Sequence, residues 1–291
     1  MTFVSVIIPI FRRTEWIGKC LESLSKQNYD GNFEVLVIDD GSPNYNEIKY
    51  IVDSVKIKNR IEIKLFRKEN AGPAVARNYG VGLAKGEILC FVDDDSIPAE
   101  DWLSNIIESF NKNINAGIVN GRTRSFDRKS AIPVLIEEYV YPAKSWATCN
   151  IAYRRDIFEK LGGFDESFPD PSWEDNELGL RARWAGYSHV YAENSVVYHP
   201  HESSIQEFRQ KCLLNGRGAA YFSRKYIRRK PLWGIAVPLI MSRRLPYALS
   251  PFSWICKEKS AHYLKFTWSY YSLKGFAGTL AGMINGKNQK S

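Results

Sequence analysis

The chain has little of what would mark a secreted, zinc-binding or membrane-spanning protein. Its five cysteines (Cys20, Cys90, Cys149, Cys212 and Cys256) stand singly, without a Cys-x-x-Cys pair. That spacing argues against a disulfide framework or a zinc knuckle and implies a reducing compartment. Long apolar runs are also missing. Phe3–Phe11 is broken by Ser5 and Pro9, with no basic residue before it and no small-residue cleavage site after it, so it reads as a buried strand and not as a leader. Leu232–Met241 is apolar for ten residues and contains Pro238. A bilayer span needs about 20. The expected location is cytoplasmic, with a peripheral seat on the inner face of the cell membrane. Acidic residues are scarce after position 201: residues 202–291 carry three, against 16 Lys and Arg.

What is present is an ordinary globular mix of 291 residues, 44% hydrophobic and 25% charged, which excludes disordered and collagen-like classes. The length suits one α/β domain with an appendage. The net charge of +8 is uneven, because residues 1–201 carry 24 basic and 29 acidic groups. A slightly acidic body therefore precedes a basic, aromatic-rich extension, and an anionic surface would meet the extension first.

The first half alternates two kinds of segment. Phe3–Pro9, Phe33–Asp39, Ile61–Phe66, Ile88–Val92 and Ala116–Asn120 are short, β-branched and mostly apolar, as strands buried on both faces should be. Between them run helix-period stripes: Trp16, Ile17, Cys20, Leu21 and Leu24; Ile48, Ile51, Val52 and Val55; Trp102, Leu103, Ile106, Ile107 and Phe110. This alternation predicts a parallel sheet with helices on both faces, and such sheets bind ligands beyond the carboxyl ends of their strands.

Four consecutive strand ends are polar. The first runs into Pro9-Ile10-Phe11-Arg12 and the second ends in Asp39-Asp40-Gly41-Ser42. The third is followed by Asn70-Ala71-Gly72-Pro73, opening a helix that carries Arg77, and the fourth ends in Asp93-Asp94-Asp95. The triple-acid run reads either as carboxylates neutralised by Mg²⁺ or Mn²⁺ or as a solvated cap for the helix expected near Pro98-Ala99-Glu100. Asp39 to Ser42 is turn chemistry that also suits a nucleobase contact. Gly72, Pro73 and Arg77 are either helix-start punctuation or a phosphate site. Trp173-Glu174-Asp175 opens a further helix, where acidic residues complement the dipole or supply a general base. His199-Pro200-His201 ends the strand expected at Val196–Tyr198, and its histidines serve either a metal or the surface.

Taken together and in order, these segments resemble the GT-A glycosyltransferases, specifically the inverting family 2. The parts are Ser5-Val6-Ile7-Ile8-Pro9, Val37 to Ser42, Asn70-x-Gly72 with Ala76-Arg77-Asn78, Phe91 to Asp95, Cys149-Asn150-Ile151-Ala152, Gly163-Phe164-Asp165-Glu166 and Trp173-Glu174-Asp175. The resemblance covers residues 3–201. It implies a Rossmann-like, mostly parallel α/β sheet in a catalytic domain of residues 1–201, with a nucleotide-sugar half to about 95 and an acceptor half from about 96. A basic helical extension follows over 202–291. It implies that Pro9 and Phe11 line the base slot, that Asp40 accepts from the base, and that Arg77 faces the base or diphosphate. Asp94 would approach the ribose, and Asp95 with Asp93 would hold Mn²⁺ or Mg²⁺. His199 would join the metal, with His201 the less favoured candidate. Asn150 would sit near the transferred sugar, Glu174 in the acceptor site, and Asp175 would be the base.

The implied reaction moves a sugar from a nucleotide-diphospho-sugar to the hydroxyl of a glycan or lipid-linked acceptor, in cell-surface polysaccharide, lipid-linked glycan or glycoprotein synthesis. In the extension, Trp, Tyr and Phe interleave with Lys and Arg, which suits an anionic bilayer surface as well as a helical subdomain packed on the body or an oligomer interface. Three rival readings fit less well, one of them a binding protein of the same fold that has lost catalysis, which the presence of Asp93, Asp95 and Asp175 together argues against. A nucleotidyltransferase would carry a lysine-bearing glycine loop after its first strand, where this chain has Phe11-Arg12-Arg13-Thr14. A nucleic-acid binder would leave the acidic strand ends unexplained, so no nucleic acid is expected as partner.

Overall fold

The computed structural model describes residues 2–59, 62–126, 145–168, 170–200, 204–230 and 261–284. Pro169, His201, Leu232–Met241, Arg243, Arg244 and Cys256 lie outside the described residues. By contact the described chain forms two compact units, one of residues 2–126, 145–166 and 178–200, the other of 167–177, 204–230 and 261–284. The sequence places a boundary at 201. Contact instead groups residues 167–177 with the helices that follow 204.

The first unit is built on one sheet in the order β3-β2-β1-β4-β7-β6-β8-β5. Its strands are β1 (Val4–Ile10), β2 (Phe33–Asp39), β3 (Ile63–Arg67), β4 (Ile88–Phe91), β5 (Ile97–Pro98), β6 (Ala116–Ser125), β7 (Ile151–Arg154) and β8 (Ser188–His199). β3, β2, β1 and β4 run parallel, so their carboxyl ends share one rim. β7 is antiparallel to both β4 and β6, and β6 is parallel to β8. The period of two divides the core. Val4, Val6, Ile8 and Ile10 pack in one cluster with α1 (Ile17–Leu24) and α4 (Trp102–Lys112), whereas Ile7, Leu36 and Ile38 pack in another with α3 (Pro73–Leu83). The remaining helices are α2 (Tyr45–Asn59), α5 (Arg155–Leu161) and α6 (Glu174–Trp184), the last belonging to this unit only from Leu178 on.

Several boundaries differ from the sequence pattern for local reasons. The helix expected near Pro98 begins at Trp102, because Ile97 and Pro98 pair with Tyr198 and Val197 as an edge strand. An edge accommodates a proline that cannot donate to a ladder. The run at Val196–Tyr198 is the end of a twelve-residue strand. Four-residue β7 carries too short a pattern to be read as a strand beforehand.

The second unit holds α7 (Ile205–Tyr226) and α8 (Ala261–Ile284) with the segment 167–177. Ser204 and Glu207 form a reciprocal capping box at the start of α7. The two helices meet at glycines: a Cβ on Gly216 would collide with the carbonyl of Ser272, and one on Gly275 with that of Leu213. Gly218 likewise admits the Ser172 carbonyl, which would lie 2.7 Å from an added Cβ. Along α7, Arg217 pairs with Asp170 at 2.9 Å, Phe222 packs on Trp173, and the buried Glu177 carboxylate accepts from Lys225 Nζ at 2.8 Å and from the Tyr226 hydroxyl. Among the described residues no helix is long and apolar enough to cross a membrane.

At the junction of β6, β7 and β8 the buried Asn150 side chain is a brace. Its Oδ1 accepts from Trp102 Nε1 at 2.8 Å, and its Nδ2 donates to the carbonyls of Arg122 at 3.1 Å and Ser195 at 3.2 Å. Asn150→Ala strands three buried polar groups, each costing about 1–3 kcal/mol. A loss of about 3 kcal/mol is expected in urea unfolding. A loss below about 1 kcal/mol would show that the brace does not carry this load.

Candidate active site

The loops that leave the parallel strands are sewn together along their rim. Arg12 takes a left-handed backbone conformation (φ 67°), closing a three-residue turn in which the Arg13 N–H donates to the Phe11 carbonyl at 2.9 Å. The Arg12 N–H donates to Ser42 Oγ at 2.8 Å, which ties the loop after β1 to the loop after β2. Non-glycine residues in this conformation cost about 1–3 kcal/mol and cluster at functional sites. At the end of β2 the Asp39 carboxylate accepts the Ser42 N–H, the turn being made at Gly41 (φ 76°).

Asp40 faces the next loop. Its two oxygens accept from Lys68 Nζ at 2.6 Å, the Ala71 N–H at 3.1 Å, the Gly72 N–H at 2.8 Å and Asn70 Nδ2 at 3.1 Å. These four donors take up a carboxylate's acceptor sites, so Asp40 anchors the turn at 70–72. Gly72, at φ 94°, then delivers Pro73 as the first residue of α3. One turn on, the buried Arg77 guanidinium lies over the Phe164 ring and donates to Asp93 Oδ1 at 2.8 Å. Asn78 holds that ring's turn in place, accepting the Phe164 N–H at 2.9 Å and donating to the Phe164 carbonyl at 2.9 Å and to Glu166 at 2.8 Å.

Beyond β4 the three aspartates are gathered with cations. Asp93 receives Arg77. Asp94 and Asp95, nearly buried, share the guanidinium of Arg13 from the loop after β1. His199, the last residue of β8, brings Nε2 to 3.1 Å from Asp95 Oδ1. Burial pushes the Asp94 carboxyl up to about 7 against the pull of Arg13. Burial acts on Asp95 in the same sense, but the charges of His199 and Arg13 outweigh it and hold that carboxyl below the ordinary aspartate value. Ligand atoms of Asp93, Asp95 and His199 lie within 4.8 Å of one another. Asp94 Oδ2 is buried without a hydrogen-bond donor among the described residues. The two carboxylates and the imidazole of the group make a donor set that fits a divalent cation.

The residues singled out in the sequence thus fall into three groups. Asp93, Asp94, Asp95, Arg77 and His199 meet in one cluster. Pro9, Phe11 and Asp40 lie on the same rim of the sheet: Pro9 is buried in β1, and Phe11 is half-buried with the Arg12 guanidinium 4.6 Å from its ring centroid. Asn150, expected beside the transferred sugar, is 1% exposed, and its amide makes the three hydrogen bonds of the brace. Glu174 and Asp175 belong to the second unit, at the start of α6. Trp173 precedes them in a left-handed conformation (φ 76°), and Asp175 Oδ1 accepts from the Asn176 N–H at 2.6 Å and from its side chain at 2.8 Å.

The sequence reading missed Arg13. The signal was there: a basic pair at one strand end, three acids at another, and a sheet topology that brings both to one rim.

Comparison with known proteins places this arrangement. The family model described as glycosyl transferase family 2 matches residues 5–162. Glycosyltransferase AglE of Haloferax volcanii is 31% identical over 212 residues, covering 69% of this chain and 67% of AglE. The chain spans between 13% and 16% of three uncharacterized glycosyltransferases from Rickettsia species. Among solved structures, the mannosyltransferase PcManGT from Pyrobaculum calidifontis, in complex with GDP-Man and Mn²⁺, superposes with a TM-score of 0.69 at 17% identity, over 95% of this chain and 86% of that one. TarS residues 1–349 from S. aureus, in complex with UDP-GlcNAc, gives a TM-score of 0.56 at 16% identity, over 99% and 93%. A mostly parallel sheet flanked by helices, an acidic cluster at the end of its fourth strand and a family match over more than half its length agree: this chain is a glycosyltransferase of family 2 with a GT-A fold.

Proposed function

We propose that the chain is an inverting transferase that moves a sugar from a nucleotide-diphospho-sugar to an acceptor hydroxyl. The observation that carries this reading is the cluster of Asp93, Asp94, Asp95 and His199 at the carboxyl rim of a family 2 sheet. Nucleotide-sugars bound to the two solved neighbours, GDP-Man in one and UDP-GlcNAc in the other, support the donor class and leave the base open between guanine and uracil.

Asp93, Asp95 and His199 would hold a divalent cation, and Mn²⁺ fits better than Mg²⁺ because one donor is an imidazole. When bound, that cation supplies neutralisation of charge building on the departing nucleoside diphosphate. The chain's own residues do the rest. Pro9 and Phe11 shape the base slot, and Asp40 keeps the 70–72 turn in place as its far wall. Arg77, fixed by Asp93 and Phe164, offers fixed positive charge to the diphosphate, and Asp94 faces the ribose. Glu174 contacts the acceptor, and the Asp175 carboxylate takes the proton from the attacking acceptor hydroxyl. A single displacement at the anomeric carbon inverts it and needs no enzyme nucleophile. Holding both substrates in register accounts for a large share of the barrier reduction.

The acceptor is proposed to be a glycan or lipid-linked species presented at an anionic membrane surface. Arg224, Arg228, Arg229 and Lys230 are exposed around the end of α7. Each basic group near such a surface contributes about 1 kcal/mol. Flotation with vesicles rich in anionic lipid should therefore carry the protein upward at low salt and release it at high salt. No association at low salt would remove the membrane from the proposal.

Two substitutions test the chemistry. Asp95→Ala should weaken Mn²⁺-dependent binding of the nucleotide-sugar by at least about tenfold, the scale set by losing one charged ligand. Asp175→Asn should leave donor binding intact and lower transfer by about 10²- to 10⁴-fold, the usual contribution of a general base. Transfer by Asp175→Asn at the wild-type rate would discard the assigned base.

A further inference from the structure

The acids beyond β4 already have a cation, supplied by the chain itself. Arg13 Nη2 engages Asp94 Oδ1 and Nη1 engages Asp95 Oδ2, so one planar guanidinium bridges two neighbouring carboxylates. The bridge is one-sided: the Arg13 side chain is 58% exposed, whereas those of Asp94 and Asp95 are 2% and 9% exposed. Arg13 thus lies on the solvent side of the acids. Its base is held firmly, because the left-handed turn at Arg12 and the Ser42 contact fix where the side chain leaves the loop. The rest of the arm crosses from the loop after β1, the same loop that carries Phe11.

The bridge sits where the acids are densest. Asp94 and Asp95 are adjacent and nearly buried beside Asp93, and one guanidinium reaches both. Arg77 pairs with Asp93 and His199 with one oxygen of Asp95, and among the described residues Arg13 is the cation paired with Asp94. A guanidinium forks onto carboxylates and onto phosphates with the same geometry. A divalent cation that takes Asp95 competes with it directly, while a diphosphate arriving with that cation offers the guanidinium a new anion at the same rim.

We propose that Arg13 is a built-in counter-cation that occupies Asp94 and Asp95 in the donor-free protein and passes to the diphosphate when the donor and its metal bind. This rests on the donor reading given above and adds an order to it: metal alone binds poorly, and metal with nucleoside diphosphate binds well. Arg13 holds Asp94 and Asp95 until the donor and its metal arrive, and its release couples metal binding to donor binding.

The test uses the full chain and two binding measurements, Mn²⁺ alone by electron paramagnetic resonance and UDP or GDP in saturating Mn²⁺ by titration calorimetry. Arg13→Gln removes the competing cation, so Mn²⁺ alone should bind about tenfold tighter or more, while the diphosphate binds about tenfold weaker. Arg13→Lys keeps the charge without the fork. It should also tighten Mn²⁺, by less than Gln does, and it keeps the test open if loss of the charge disturbs folding. Wild type binding Mn²⁺ and nucleotide together, with Arg13→Gln no tighter for Mn²⁺ alone, would overturn the counter-cation and leave the donor reading standing. An Arg13→Lys protein that behaves as wild type would also overturn it, since net charge and not occupancy of the carboxylates would then be responsible. A wild type that binds neither UDP nor GDP with Mn²⁺ would take down both readings.

Discussion

The local structure of the site answers one electrostatic problem, three consecutive carboxylates at the end of a buried strand. Bringing Asp93, Asp94 and Asp95 out of water together is unfavourable unless positive charge surrounds them. The chain meets that requirement with Arg77 from α3 and Arg13 from the loop after β1, and His199 at the end of β8 adds an imidazole hydrogen-bonded to Asp95. Each of these elements must therefore end where it does. The positive-φ turns at Arg12, Gly41 and Gly72 all lie on the rim that receives the strands' carboxyl ends.

The same requirement bears on the proposed exchange of Arg13 for a metal and a diphosphate. A group of acids neutralised by protein side chains can exchange part of that neutralisation for a metal or a phosphate with little net change in charge. An uncompensated cluster would be protonated or would bind any cation, whereas a rigidly satisfied one would bind none. Asp94, pushed up by burial, and Asp95, held down by His199 and Arg13, sit on opposite sides of the ordinary aspartate value within one short segment. Neighbouring carboxyls set apart in this way are a recurring feature of functional sites.

The second unit shows a different economy. Its helices are drawn together by small residues and by the buried Glu177, and the segment bearing Trp173, Glu174 and Asp175 is held within it by aromatic and ionic contacts to α7. The chain after 204 is thus part of what supports the corner proposed to carry the base. A basic, aromatic-rich composition alone suggests a surface-binding tail, and that composition serves both ends, because Lys225 and Tyr226 face Glu177 while Arg228, Arg229 and Lys230 remain exposed.

Much of this was legible in the amino-acid order. Continuous apolar runs with β-branched residues, alternating with stripes at 3.6-residue spacing, specify a parallel sheet covered on both faces, and the polar residues that follow each run identify the functional rim. Glycine and proline at 72 and 73, and the acids at 93 to 95, are local signals and read correctly as a helix start and an acidic strand end. Partnership was not legible. Asn150 looks like any polar residue in a motif until β6, β8 and α4 converge on its amide, and Asp40 looks like a free acceptor until four donors from residues 68–72 close around it. Arg13 is an ordinary loop residue in one dimension and becomes the counter-ion of two aspartates about eighty positions away only when β1 and β4 pair side by side. Periodicity and turn chemistry act over a few residues and are written in the chain. Which charge neutralises which is settled by strand order, and that belongs to the tertiary structure.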